Sequence, residues 1–358
     1  MRLEKRHQAS AAALLLAPVS AVAFTLLVTA ALVAWAGAPV GRTYALMLQG
    51  GFGSVFAWSE TLTRAVPLIL TGLAATVAFK ARLYNIGAEG QLYAGALAAV
   101  AVGGLPAGAE LGAPVWLIFA LMLLAAALAG ALLLLGPALL KARFGVDEVV
   151  TTLLLNFIVL LGVSALLDGP MKDAAALGWP QSLALASELE LTRLVPGTRV
   201  HSGLLIAALL ACALAALFRF TLLGFQIRAT GANPRAAAFA GVPALRTTVL
   251  VALLSGALAG LAGAVEVAGR TGYVTLDMSP GYGYSGIVIA MLAGLNPLGV
   301  LAAAVFVAGV LVGADSMSRA IGVPTYLADV IVATSLLAVQ VATLFTQYRL
   351  RWRAGGVP

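Results

Sequence analysis

The sequence predicts an all-α polytopic membrane protein of about ten transmembrane helices, with broken or short helices near residues 83–91 and 284–299. Three observations predict it: 62% of the 358 residues are hydrophobic, only 10% are charged, and the mean hydropathy is +1.03. A soluble domain carries about a quarter of its residues as charges to hydrate its surface. Lipid must therefore be the solvent for most of this chain. Crossing the hydrocarbon takes roughly 20 apolar residues per helix. Apolar runs fall at 11–37, 62–79, 86–103, 114–140, 148–167, 203–218, 247–267, 284–295, 298–314 and 324–346, and residues 1–358 read as one transmembrane domain.

The first run follows the basic stretch MRLEKRHQAS and ends near Ala34–Ala36, where small residues could serve a leader peptidase. A secretory signal has a hydrophobic region of only about 7–15 residues, so the longer run from Ala11 to Ala38 is expected to stay as a first helix. The second and third runs are separated by LYNIGAEGQ, Leu83 to Gln91, and a similar break, LNPLG, spans Leu295 to Gly299. Two readings stand for each break. Discontinuous helices near the middle of a bilayer are where transporters place their pathways; alternatively, each is a tight turn between ordinary helices.

Two connections are long enough for structure of their own. Residues 168–202, with Pro170, Trp179, Pro180 and Pro196, are expected to fold over the bundle as an extracytoplasmic connection. Residues 219–246 are basic, with an Ala-rich stretch of high helix propensity bracketed by Gly231-Ala232-Asn233-Pro234 and Gly241-Val242-Pro243. A short helix along the membrane surface fits them. Small residues recur throughout, as in Ser255-Gly256-Ala257-Leu258-Ala259-Gly260-Leu261-Ala262-Gly263. In lipid such spacing lets backbones approach closely, which speaks for a bundle and not for any solute.

The net charge of +7 raises nucleic acid as a partner, but the 21 Lys and Arg residues sit in short clusters between apolar runs, not on one face. They read as topology signals. With the N-terminus inside, two thirds of them fall in cytoplasmic segments, including Arg2, Lys5, Lys80, Lys141, Arg228 and Arg351, as the positive-inside rule demands. Carboxylates such as Glu60, Asp168, Glu188 and Asp315 lean the other way. The reading is a multi-pass protein of the cell inner membrane with both termini cytoplasmic. The one cysteine, Cys212, lies in an apolar run, and His7 and His201 are the only histidines, so a disulfide is excluded and a metal site is not expected.

Enzymatic function has little to stand on. The sequence contains no Gly-Lys pair, hence no phosphate-binding loop of the Gly-x-x-x-x-Gly-Lys-Ser/Thr form, and any ATP must be bound elsewhere. There is no Gly-x-Ser-x-Gly, no His-Glu-x-x-His, and no carboxylate cluster with a histidine to act as acid and base. What remains are polar groups in or near apolar runs: Asn85, Glu89, Gln91, Glu148, Asn156, Glu266, Asn296 and Asp329. At membrane depth such groups are costly, so they face a bundle interior or a wet cavity. A pathway for a neutral polar solute needs a few hydrogen-bonding groups and otherwise bland walls, because tight binding would prevent release. Asn85, Glu89, Gln91, Asn156 and Asn296 are the candidate pathway residues. Each also has a structural reading: Asn85 as a helix cap, Asn156 as an interhelical hydrogen bond, Glu148 beside Asp147 at a helix N-terminus.

In order along the chain, LYNIGAEGQ (83–91), GVDEVVTTLLLN (145–156), RATGANPRAAAFAG (228–241), AGAVEV (262–267) and GYGYSGIVIAMLAGLNPLG (281–299) resemble the successive signatures of ABC importer permeases for nucleosides and simple sugars, within the branched-chain amino-acid permease superfamily. The resemblance implies a second permease as partner, forming a heterodimer, together with a cytoplasmic ABC ATPase and an extracytoplasmic solute-binding protein. It implies no cofactor in this chain. It also identifies Arg228, Gly231, Asn233, Ala236, Ala237 and Gly241 with the coupling element seated on the ATPase. The forms of the first two motifs lean toward nucleosides over sugars. Two departures stand out: Asp147, where the family favours an amide, and Tyr284-Ser285, where Phe-Asp is commoner. Two alternatives remain open at this stage, a simple-sugar permease and an ion-coupled secondary carrier.

Overall fold

The computed structural model describes residues 2–5, 11–104, 112–322, 330, 333–334, 337–338, 341–342 and 348–351, with side chains described from Ala23 to Ala342 within those ranges. The helices, in chain order, are α1 (Ala11–Trp35), α2 (Val40–Phe52), α3 (Val55–Lys80), α4 (Ala88–Gly103), α5 (Val115–Phe144), α6 (Glu148–Asp168), α7 (Gly203–Phe220), α8 (Leu222–Ala232), α9 (Pro234–Phe239), α10 (Ala244–Glu266), α11 (Tyr282–Leu292) and α12 (Pro297–Ile321). A π-helical turn, Val267–Thr271, continues α10. Strands β1 (Arg2–Lys5) and β2 (Tyr348–Arg351) pair antiparallel and join the ends of the chain, an exception to the all-α expectation.

Six of these helices are long and apolar enough to cross a membrane, or seven if α1 and α2, bent by 116° between them, form one span. The expected count of about ten is not reached among the described residues. Helix α4 has 16 residues and, at 1.5 Å per residue, reaches about 24 Å against roughly 30 Å of hydrocarbon. The 11 residues of α11 reach about 16 Å, half a crossing. Most of the run 324–346, and Asp329 within it, lie outside the described residues.

Cα positions cluster into two units, Met1–Trp58 with Gly309–Pro358, and Ser59–Ala308. In the first, Val33, Ala314 and Met317 form a buried core flanked by Leu46 and Met47. The second holds every candidate site residue. There, local chemistry sets the helix ends. Gly145 takes the left-handed conformation (φ 70°) that closes α5, with Lys141 and Arg143 in the last turn where the helix dipole favours cations. Asp147 then caps α6, its carboxylate accepting the Val149 N–H at 2.8 Å. A cap of this kind works equally well with Asn or Asp, so the first family departure is neutral in geometry.

The outward face of α6 carries Phe157, Ile158 and Leu161 exposed, as a helix facing lipid does. The inner packing is closer than side chains allow. A Cβ on Gly260 would lie 2.1 Å from the Ala126 carbonyl oxygen, one on Gly130 2.2 Å from that of Gly256, and one on Gly95 2.1 Å from that of Gly260. Helices α4, α5 and α10 thus meet backbone to backbone along the small-residue stripe anticipated from the sequence. Over their far ends folds the 168–202 connection, tied by Leu185 N–H to Gly272 O at 2.7 Å, Ala186 N–H to Gly103 O at 3.0 Å and Leu191 N–H to Ala268 O at 2.8 Å. His201 is buried beside it, its Nδ1 accepting the Gly203 N–H at 3.2 Å. Burial lowers its pKa to about 4, so it serves as a neutral acceptor.

Alanine at Gly130 and at Gly136 separates these effects within one helix, because a Cβ on Gly136 meets nothing within 4 Å. Gly130→Ala is expected to lower the thermal midpoint of the detergent-purified protein by about 1–3 kcal/mol of overpacking. Gly136→Ala should leave it unchanged or raise it slightly, through better helix propensity. Equal midpoints for the two variants would refute the close-packed interface.

Candidate functional site

The site is built around the start of α4. Its N-cap is Gly87, which has no side chain to satisfy the first amides of the helix. Around it Leu83, Asn85, Glu89 and Gln91 are each 3% exposed or less, while Tyr84 is exposed. Amides buried in this way need acceptors from other groups. Asn156 of α6 accepts the Gly90 N–H at 2.8 Å and donates to the Ile86 carbonyl at 2.9 Å, while Thr152 Oγ1 accepts the Ile86 N–H at 3.2 Å. Asn85 and Gln91 exchange two hydrogen bonds of 2.9 Å through their amides. Asn85 also accepts the Gly87 N–H at 2.9 Å and donates to Ser255 Oγ at 3.1 Å. Ser255 passes the chain on to the Ala74 carbonyl at 2.8 Å.

Glu89 lies in the first turn of α4, and its Oε2 accepts the Gly283 N–H, in the first turn of α11, at 2.6 Å. One carboxylate is therefore shared between two helix N-termini, each the positive end of a dipole. The helices meet so closely that a Cβ on Gly283 would fall 2.2 Å from the Glu89 nitrogen. Tyr284, the second departure from the family pattern, adds its hydroxyl to the network by accepting from Asn156 Nδ2 at 3.1 Å. At 38% exposure it is the member of the network open to the outside of the chain.

Helix lengths place this carboxylate in depth. Lys80, at the end of α3, donates to the Leu295 carbonyl at 2.9 Å, so α3 and α11 finish at one level. From there α11 rises about 16 Å to its N-terminus, and Thr71, which donates to the Tyr282 carbonyl at 2.9 Å, lies about 14 Å up α3 by the same rise. Glu89, bonded to the first turn of α11, then lies about 16 Å from the level at which α3 and α11 end. The interruption at 83–91 combines a tight turn closed by Arg82, at φ 58°, with a largely buried entry into the 16-residue helix α4.

Asn296 stands apart. It is exposed and caps α12, its Oδ1 accepting the Leu298 N–H at 3.1 Å. Glu148 opens α6, accepts the Tyr84 N–H at 3.1 Å and pairs with Lys141. Glu266 is buried and pairs with Arg270, which also donates to the Met278 carbonyl at 3.1 Å.

The residues expected to couple to an ATPase, Arg228, Gly231, Asn233, Ala236, Ala237 and Gly241, lie in or beside α8 and α9. Asn233 caps this six-residue helix, its Oδ1 accepting from the Arg235 and Ala236 N–H groups, both at 3.1 Å. Ala237 faces inward and is buried, Arg228 and Ala236 are exposed, and Gly241 ends the segment at φ 83°. Gly231 lets α8 touch the end of α3, since a Cβ there would lie 1.9 Å from the Lys80 carbonyl oxygen. Sequence reasoning passed over Phe239, which is 98% exposed at the tip of α9. It also gave no role to Ser255 and Thr152, whose hydroxyls look unremarkable until their partners are known, and marked Tyr284 only as a family departure.

Six or seven helices able to cross a membrane, a helix that reaches half a crossing and a buried polar junction between helices are the parts of a membrane transport subunit. The family model "Branched-chain amino acid transport system / permease component" matches residues 57–340, and the chain belongs to that family. It is 38% identical over 317 residues to a glucose ABC transporter permease of Haloferax volcanii, covering 86% of this chain and 82% of that one. It is 34% identical over 328 residues to a guanosine ABC transporter permease of Bacillus subtilis, covering 91% and 92%. A second guanosine ABC transporter permease of the same organism is 31% identical over 255 residues, covering 69% and 77%. The expected class, an ABC importer permease of the nucleoside and simple-sugar type, is met.

Replacing Asn156 with alanine strands a buried N–H and a buried carbonyl, each costing about 1–3 kcal/mol. Asn156→Ala is accordingly expected to depress the thermal midpoint by several degrees, while Asn296→Ala, at an exposed cap, should cost about 1 kcal/mol or less. Thermal unfolding of the two purified variants side by side checks this.

Proposed function

We propose that this ABC permease carries nucleosides inward across the cell inner membrane, with ATP bound and hydrolysed in a separate cytoplasmic subunit. It pairs with a second, similar permease and receives solute from an extracytoplasmic binding protein. Both termini and α9 face the cytoplasm, as the distribution of Lys and Arg supports.

The observation that carries the nucleoside reading is the match, along nine tenths of both chains, to one guanosine permease. Similarity to a second guanosine permease of the same organism supports a pathway shared by two unlike subunits. The junction around Glu89 is suited to the task. Its amides, hydroxyls and single carboxylate lie between helices, and here they bond to one another. A neutral solute with several hydroxyls and ring nitrogens can exchange for those partners one at a time, so no step leaves a charge bare in lipid. Asn85, Glu89, Gln91 and Asn156 are the pathway groups in this proposal, and the exposed Tyr284 is where they open toward a partner. Asn296, capping α12 at the surface, is assigned to the mouth.

A second reading, simple sugars, is favoured by the 38% identity to the glucose permease. Ribose is common ground between the two, so competition decides. Uptake of labelled nucleoside by cells expressing the assembled transporter should be abolished by unlabelled nucleoside and unaffected by a large excess of glucose. The reverse pattern would give the chain to sugars.

The coupling assignment rests on α9: rigidly capped by Asn233, ended by Gly241, with Ala236 and Phe239 exposed. Asn233→Ala removes the acceptor for two amides of a helix with only six residues. In the assembled complex it is expected to reduce ATP-driven uptake more than tenfold while the bundle's thermal midpoint is retained. Normal uptake and hydrolysis in that variant would refute the role of α9.

A further inference from the structure

Between α9, the start of α10 and the 81–84 turn lies a cavity of about 550 Å3, within the roughly 300–1,000 Å3 that small-molecule sites occupy. Neither the transport pathway nor the docking helix accounts for it. Its lining includes two cations, Arg82 and Lys141, and no carboxylate. Thr230, 7% exposed, is one of its lining residues, and its buried hydroxyl has no hydrogen-bond partner. Thr76, buried inside α3, shares that lack, whereas Thr29, Thr43, Thr71, Thr152 and Thr247 donate to the carbonyl four residues back. An acceptor oxygen on a ligand in the cavity would supply the partner that the Thr230 hydroxyl lacks.

Arg82 gives a second sign. It occupies the left-handed position that closes α3, at φ 58°, where glycine is the usual residue and any other side chain costs about 1–2 kcal/mol. Its guanidinium donates to the Ala232 carbonyl at 3.2 Å through Nη2, leaving most of the planar fork available. Lys141 donates to the Arg82 carbonyl at 2.6 Å and pairs with Glu148. Glu148 offsets one of the two positive charges, so the cavity keeps a net positive field. Apart from Thr248 the rest of its wall comes from Ala81, Leu83, Tyr84, Pro234 and Ala244, with Tyr84 and Pro234 on different elements.

We propose that this cavity binds an organic phosphate ester, with the phosphate held by Arg82, Lys141 and Thr230 and the organic part between Tyr84 and Pro234. A guanidinium fork, an ammonium and a hydroxyl donor from three separate elements match the three acceptor oxygens of a phosphate monoester. An inorganic ion would leave the apolar part of the volume empty. The inference rests on the orientation proposed above, which opens the cavity to the cytoplasm, where imported nucleosides or sugars become phosphate esters through a kinase-type reaction. A ligand here would sit directly behind α9, through Pro234, and would hold the coupling helix in one position. The site then reports accumulated product back to the importer.

Titration calorimetry on the assembled complex in nanodiscs tests this, with adenosine monophosphate, glucose 6-phosphate, inorganic phosphate and unphosphorylated adenosine as probes. At least one ester should bind saturably, at least tenfold more tightly than inorganic phosphate, and should lower ATPase activity. Thr230→Val and Arg82→Gln should each weaken that binding tenfold or more and relieve the inhibition, with the former keeping the shape of the side chain. Absence of ester binding, equal affinity for inorganic phosphate, or unchanged affinity in both variants would overturn the proposal. So would loss of ATPase-subunit capture by Arg82→Gln without any ester binding, which would make the cavity a seat for an acidic segment of that subunit. A transporter that binds the ester but imports no nucleoside would refute the substrate assignment and leave this site standing.

Discussion

A buried amide in a lipid-solvated bundle has no water to turn to, and that constraint organises this protein. Helix α4 begins inside the bundle at a glycine, Gly87, which has no side chain to serve as a cap. Every donor that the first turn leaves over must be met by a group from elsewhere. Asn85 and Asn156 meet those of Gly87 and Gly90, Thr152 meets the Ile86 amide just before the helix, and Ser255 and Tyr284 anchor Asn85 and Asn156 in turn. The polar content of the chain is small, and much of it is concentrated at this one place. A transport pathway and a structural junction are therefore not competing descriptions. The same few groups that hold the junction together are the ones that the proposed pathway would lend to a passing solute.

The glycine stripe is the complementary device. Where α4, α5 and α10 approach, carbonyl oxygens stand where a methyl group would have to be. Such packing gains dispersion contacts without bulky side chains and keeps interfaces smooth. It also brings Ser255 within reach of both Asn85 and the Ala74 carbonyl.

Much of this was legible in the sequence, and the reasons for the exceptions are physical. Long apolar runs, the Gly-rich stripe, the helix start at Glu148 and the Asn233-Pro234 bracket depend on neighbours within a few residues, so local pattern suffices to find them. Helix α11 falls where the sequence predicts a broken or short helix, but composition also lets its run count as a crossing, and only its partners reveal where it starts. Asn85 and Gln91 stood out as polar groups beside an apolar run, but their mutual pairing and the role of Ser255, 170 residues away from Asn85, are tertiary facts. Asn296 looked equivalent to Asn156, yet one is an exposed local cap and the other a buried bridge between helices. Phe239 was hidden in an Ala-rich stretch where one aromatic reads as core, and it is fully exposed.

Lys80 has a mechanical consequence. Its carbonyl bears on Gly231, its ammonium holds the Leu295 carbonyl, and its charge lies 4.6 Å from the centre of the Phe218 ring. Helices α7, α8 and α11 thus meet at one residue. A displacement of α8 bears directly on the backbone at the end of α3, and reaches the foot of α11 only through the four-carbon stem of the lysine. Stiffness at a single side chain would set how much of each stroke is delivered.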